Sequence, residues 1–195
     1  MMSVNSLDTR SSTPNEENIN EKKKELIKKD FIDVEVNINQ NLNSSISITL
    51  LNLISENRSK HNYKKLLKKQ KNNIFNSLKV PKLSIGDFLY RITYYTKVND
   101  ETLISSLILI DRYCKKNKII LTVYNIHYLL FISILVTIKF MEDKFFSNKY
   151  YAAICGIKLS LLNKMEYEFL CGIKFELFID KDFFTQYQNL LIIKE

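Results

Sequence analysis

This 195-residue chain has few side chains suited to chemistry, and their spacing forms no catalytic set. It has two histidines: His61 lies in a lysine run and His127 opens an apolar stretch. Cys114, Cys155 and Cys171 are odd in number, and their spacing matches neither a disulfide framework nor a zinc site. They read as reduced, mostly buried thiols, which suits cytosol or nucleus. A Cys–His pair can be drawn on paper, but no motif supports it. Packing or capping is the simpler role for His127. Gly86, Gly156 and Gly172 are too scattered to form a loop that cradles phosphate. Glu166 and Glu168 sit two apart in "MEYEF", on different faces of a helix, so they are not a paired acid and base. The expectation is a protein that catalyses nothing itself, with no cofactor and no metal.

The element that must organise the chain is "HYLLFISILVTIKFMED", positions 127 to 143. From Tyr128 to Ile138 it carries no charge, and Lys139 ends the run. A membrane span needs about 20 apolar residues and a strand is usually about 5–6 long, so neither fits. With Thr122 as cap and Val123, Ile126, Leu129 and Leu130 at helical spacing, the run predicts a helix over 122–142. Its second half is apolar on every side, so other helices must enclose it.

Three Gly and two Pro are too few for a sheet-rich domain with many turns. Residues 84–172 read as five helices. Ser84 caps the first, with Ile85, Phe88, Leu89, Ile92 and Tyr95 at helical spacing. Asn99 caps the second, with Asp100 and Glu101 at its positive end and Leu103, Leu107 and Ile110 facing inward. The central helix is third. Ser147 opens the fourth and Ser160 the fifth, whose stripe is Leu162, Met165, Phe169 and Ile173 and whose end is at Gly172. Before them, Ile46, Leu50, Leu53 and Ile54 line one face of a short helix. After them, Phe183, Phe184, Tyr187 and Leu191 mark an amphipathic segment. Residues 1–44 are polar and Asn-rich and read as a mostly disordered tail, with a short helix around 20–31 and no signal peptide.

Net charge is +8 and unevenly spread. "RSKHNYKKLLKKQK", 58 to 71, holds seven positive side chains and no negative one. It reads as a solvated basic linker, with attraction to phosphates or to an acidic protein face as the alternative.

Several motifs, in order, resemble the cyclin box. "ETLISSLILIDRY" is similar to its second helix, with the Ile-Asp-Arg-aromatic ending. "LTVYNIHYLLFISILVTIKFMEDKFFSN" is similar to the third, and "LSLLNKMEYEFL" to the fifth. "VPKLSIGDFLYRI", His127, Asn148 and "YYAAICGIKLSLLN" resemble the single-box P-type (U-type) cyclins, the group of the fungal phosphate-pathway cyclins. The match covers about residues 46–180. It implies an all-α fold: one five-helix cyclin box with a buried third helix, an N-terminal helix and a short C-terminal helix. The implied layout is a tail at 1–44, N-terminal helix and basic linker at 45–80, the box at 81–180 and a last helix at 181–195. About 20 residues follow the fifth helix, so no second box is expected. The chain departs from the family at Tyr128, where Arg is frequent, and at Cys155, where Gly is. The Met-Arg-Ala-Ile-Leu substrate-docking motif of cell-cycle cyclins is not recognisable in "KLSIG" at 82–86.

The resemblance implies a regulatory subunit that binds and activates a cyclin-dependent protein kinase by stabilising its active C-helix and activation-loop arrangement. By it, Lys139 and Glu166 face the kinase together, within an apolar surface of Val136, Phe140, Leu170, Phe175 and Leu177. Read from helical position alone, Lys139 neutralises a helix C-terminus and Glu166 faces solvent. Asp111, after an apolar run, is expected buried and paired, and with Arg112 is assigned a structural role. The expected partner is the kinase catalytic subunit, with no membrane, in nucleus or cytoplasm. The alternative is a cyclin-shaped scaffold or a transcription-factor-like protein that binds nucleic acid, a partner ranked behind the kinase.

Overall fold

The computed structural model describes residues 40–192. Among the described residues all regular structure is helical, in eight helices: α1 (Gln40–Ser59), α2 (Tyr63–Gln70), α3 (Ile85–Thr96), α4 (Asp100–Asn117), α5 (Ile126–Met141), α6 (Asn148–Cys155), α7 (Leu159–Gly172) and α8 (Lys181–Ile192). Helices α3 to α7 are the five expected over 84–172. The expected helix at 20–31 lies outside the described residues. Helix α1 starts at Gln40, so it reaches into the stretch read as tail.

Three helix starts follow the capping rules. Ser84 Oγ accepts from the Asp87 N–H at 3.0 Å, Asn99 Oδ1 from Thr102 at 2.7 Å and Ser147 Oγ from Tyr150 at 3.4 Å. Each such cap contributes about 1 kcal/mol. Two others differ from expectation. Helix α5 begins at Ile126, not Thr122, because Asn125 builds a turn there: its Oδ1 accepts from the Thr122 N–H and its Nδ2 donates to the Ile120 carbonyl. Helix α7 begins at Leu159 after Lys158, with no side-chain cap, so Ser160 does not open it.

Every residue of α5 from Leu129 to Ile138 is buried. Helices α3, α4 and α7 enclose it, and its largest contact is with α4. Small polar residues let α4 and α5 approach closely. Ser133 Oγ donates to the Ser106 carbonyl at 2.6 Å, and Thr137 Oγ1 to the Ser133 carbonyl at 2.8 Å, so these buried hydroxyls are satisfied. Helix α1 covers α3 and α8 with Leu42, Ile46, Leu50 and Ile54, while Leu53, expected on the same face, is exposed.

Most of the segment 58–71, read as a solvated basic linker, is helical, as the end of α1 and as α2. Gln70 is buried, and its amide exchanges two hydrogen bonds with the Ile120 backbone, at 3.2 and 3.1 Å. Phe75 follows, fully buried and edge-on to Tyr113 and Phe169. Tyr113 in α4 stacks on Phe169 in α7, with ring centroids 5.0 Å apart. Helix α7 ends where it presses on this pair: a Cβ at Gly172 would lie 2.3 Å from Tyr113 Cε2. Close approach, rather than a left-handed cap, is what requires glycine there.

Candidate functional site

Helices α5 and α7 bring Lys139 and Glu166 together. Lys139 Nζ donates to Glu166 Oε1 at 2.6 Å. Lys139 is in the last turn of α5, where the buried stretch reaches the surface, and Glu166 is on α7 beside it. Their side chains are 26% and 14% exposed. Asn148, the first residue of α6, completes the site: its Nδ2 donates to Glu166 Oε2 at 2.8 Å and to Asn163 Oδ1 at 2.8 Å. Both carboxylate oxygens are thus occupied, by a cation and an amide. Two groups retain hydrogen-bonding capacity. Lys139 has three donors, and Asn148 Oδ1 is buried without a partner.

Apolar side chains lie near the pair along the chain: Phe140 follows Lys139, Leu170 is one turn after Glu166 on α7, and Phe175 and Leu177 come in the segment after α7. Phe140, next to Lys139, is 53% exposed, and Phe175 is 60% exposed. Leu170 and Leu177 are half-buried. The loop after α7 aims Phe175 by an uncommon backbone path. Lys174 and Phe175 both have φ of 57°, a left-handed conformation that costs non-glycine residues about 1 kcal/mol or more each. Three sets of bonds hold it. The Phe175 N–H donates to the Leu170 carbonyl at 2.9 Å. Arg112 donates to the Phe178 carbonyl from both Nη atoms at 3.1 Å and also to the Glu176 carbonyl. Lys116 pairs with Glu176 at 2.7 Å.

Two expected residues stand elsewhere. Val136 is 3% exposed. It lies about one turn before Lys139 and packs in the core, so it supports the surface from beneath and offers nothing to a partner. Asp111 is not buried: it is half-exposed and pairs with exposed Lys115 at 2.6 Å, one turn along α4. Arg112 clasps the 173–178 loop as described.

His127, Cys114 and Cys155 are spent on packing. His127 Nε2 lies 2.9 Å from the Leu83 carbonyl, so it carries the proton, and its ring packs on Phe88 at 4.9 Å. Burial pushes its pKa below the usual histidine value, partly offset by the Leu83 bond. Burial pushes the Cys114 and Cys155 thiols up to about 12, whereas Cys171 is exposed. Among the described residues no group of His, Cys, Asp and Glu could hold a metal ion, and no helix is long and apolar enough to cross a membrane.

A buried middle helix ending in a lysine, paired with a glutamate from the fifth helix of a five-helix set, is the geometry implied by the resemblance. A family model described as Cyclin matches residues 32–177. The chain belongs to the cyclin family. It is similar to Cyclin-U4-3 of Arabidopsis thaliana, 37% identical over 123 residues, 63% of this chain and 56% of the relative. Cyclin-U2-2 of the same plant is 35% identical over 120 residues, 60% of this chain and 51% of the relative. Cyclin-P3-1 of Oryza sativa subsp. japonica is 32% identical over 119 residues, 61% of this chain and 50% of the relative. These place it with the P/U-type cyclins. The chain spans about half the length of the curated relatives it matches.

In this cyclin, Asn148 and Asn163 join the charged pair, a placement the sequence pattern does not give. Asn148 was visible only as one element of the resemblance. An isolated Asn in an Asn-rich chain carries no positional signal of its own.

Proposed function

We infer that this cyclin is a regulatory subunit that binds a cyclin-dependent protein kinase through the Lys139–Glu166 surface and activates it. The observation that carries the reading is the part-buried pair with unspent capacity. Lys139 is 26% exposed and has spare donors, so a carbonyl of a peptide backbone laid across the pair would accept from it. Phe140 and Phe175 would bury their rings against the same segment, giving an apolar anchor beside a desolvated charge.

The activating step is a shift of population. Kinase activity needs an ion pair between the β3 lysine and the C-helix glutamate and a placed activation loop. A cyclin that binds the arrangement with both in place more tightly than the alternative enriches it by that difference in affinity. ATP, magnesium and the phosphoryl transfer belong to the kinase. Nucleus and cytoplasm, where such kinases work, are the compartments this role implies.

The test is to add the purified chain to a purified cyclin-dependent kinase catalytic subunit from the same organism and follow phosphate transfer to a peptide. Saturable stimulation, lost with Phe175→Ser, supports the reading. Binding without stimulation would make the chain a scaffold. The proposal fails if no such subunit binds.

A further inference from the structure

The basic segment plays no part in the kinase-facing site, and its fold makes it a built surface. From Arg58 to Lys82 there are nine Lys and Arg residues and no Asp or Glu. None of them appears in an ion pair among the described residues. Mutual repulsion in so dense a cation run favours an extended chain, yet α2 and the following loop are anchored at three points. Gln70 is tied to Ile120, Phe75 is sunk edge-on against the stacked Tyr113 and Phe169, and Ser77 donates to the Tyr124 carbonyl from both its N–H and its Oγ, each at 2.8 Å.

Between these anchors opens a cleft of about 380 Å³, lined by Leu67, Leu78 and Tyr124 together with Lys68 and Lys71. Leu78 is wholly exposed. Val80 and Leu83, further along the chain, are also exposed, with Lys79 and Lys82 beside them in sequence. Large apolar side chains held open beside lysines are poorly suited to water and well suited to a ligand with both characters. A phosphate backbone would use the lysines and leave Leu67 and Leu78 unemployed. An acidic segment carrying a large apolar side chain uses both.

We propose that this cleft docks an acidic peptide segment of another protein, seating one apolar side chain between Leu67, Leu78 and Tyr124 while its carboxylates lie against Lys68 and Lys71. Tyr124 precedes α5 and Lys139 ends it, so the cleft and the charged pair are separated by about 20 Å of helix rise. The two sites can be filled at once, and the proposal stands whether or not the kinase reading does.

The experiment uses the full chain and a fluorescent peptide of about a dozen residues, mostly Glu with Leu and Phe interspersed, read by anisotropy at about 50 mM salt. The comparison ligands are an all-Glu peptide of equal charge and a duplex DNA of similar length. The expected result is saturable binding of the mixed peptide in the range of about 10–100 μM, fitting a small open contact. Leu78→Ser should weaken it about fivefold or more and leave the all-Glu peptide unchanged. Lys68→Glu/Lys71→Glu should weaken both peptides at least about tenfold. These three side chains are exposed, so the variants should melt with the parent chain. Absence of saturable binding overturns the proposal. Duplex DNA binding more tightly than the mixed peptide overturns it as well, because it would assign the surface to phosphate.

Discussion

Gly172→Ala should unfold this cyclin more easily although alanine is the better helix former. An added methyl would sit 2.3 Å from Tyr113 Cε2, 2.8 Å from Cδ2 and 3.0 Å from Asn117 Nδ2. Tyr113 cannot step aside cheaply. It is buried, stacked on Phe169 with planes 9° apart, and met edge-on by Phe75 at 5.3 Å. Asn117 is also engaged, donating to the Tyr113 carbonyl at 2.8 Å and the Gly172 carbonyl at 3.1 Å. Overpacking of this kind costs about 1–3 kcal/mol, and loosening two aromatic contacts adds about 0.5–1.5 kcal/mol each. Alanine's helical advantage recovers under about 1 kcal/mol at a helix end. The net loss is about 1–5 kcal/mol, a fall in Tm of about 2–20 °C for a domain of this size. Gly86→Ala is the matched control. There the nearest side-chain atom, Ser47 Oγ, is 3.6 Å away, an ordinary contact, so the same substitution should be neutral or raise Tm by a few degrees. Thermal melts by circular dichroism decide it, and the near-ultraviolet tyrosine signal should weaken in Gly172→Ala, since the chain has no Trp. If Gly172→Ala melts at or above the parent temperature, the tight α4–α7 contact does not exist as described.

Val136 and Phe140 should separate stability from binding: Val136→Ala should cost about 2 kcal/mol in a melt, whereas Phe140→Ala should melt normally and bind the kinase more weakly in a titration. His127 should make stability depend on pH. Its folded pKa lies below the unfolded value of about 6.5, so the stability from its neutral form is complete above that value and is lost as pH falls through the folded pKa. Tm measured between pH 7.5 and 5 should fall, and His127→Gln should flatten the slope. Arg112→Lys should free the 173–178 carbonyls, seen as faster amide exchange in that loop with the α5 amides unchanged.

The buried helix α5 is legible because its eleven successive uncharged residues are too few for a membrane span and too many for a typical strand, which leaves a helix enclosed by others. Its start was misread for a local reason. Val123 and Ile126 share the helical spacing, but the Asn125 side chain commits 122–125 to a turn, and periodicity does not register one amide's hydrogen bonds. Glu166 shows the limit most clearly. Its place on an amphipathic helix suggests a solvent-facing carboxylate, and only the resemblance set it beside Lys139. Its burial comes from α6, through Asn148, a contact between elements that no single helix pattern contains. The basic segment reads as linker because charge dominates its composition, while three residues, Gln70, Phe75 and Ser77, anchor it. Asp111 followed an apolar run yet falls on the side of α4 that opens to Lys115.

The pairing of Lys139 with Glu166 as the kinase-facing contact is tested most directly by calorimetric titration of a cyclin-dependent kinase catalytic subunit with the parent chain, Lys139→Met, Glu166→Gln and the double variant. If the pair is the contact, each single change weakens binding at least about thirtyfold, roughly 2 kcal/mol, and the double is no worse than the weaker single. Two single variants that bind like the parent, with Tm unchanged, would contradict it.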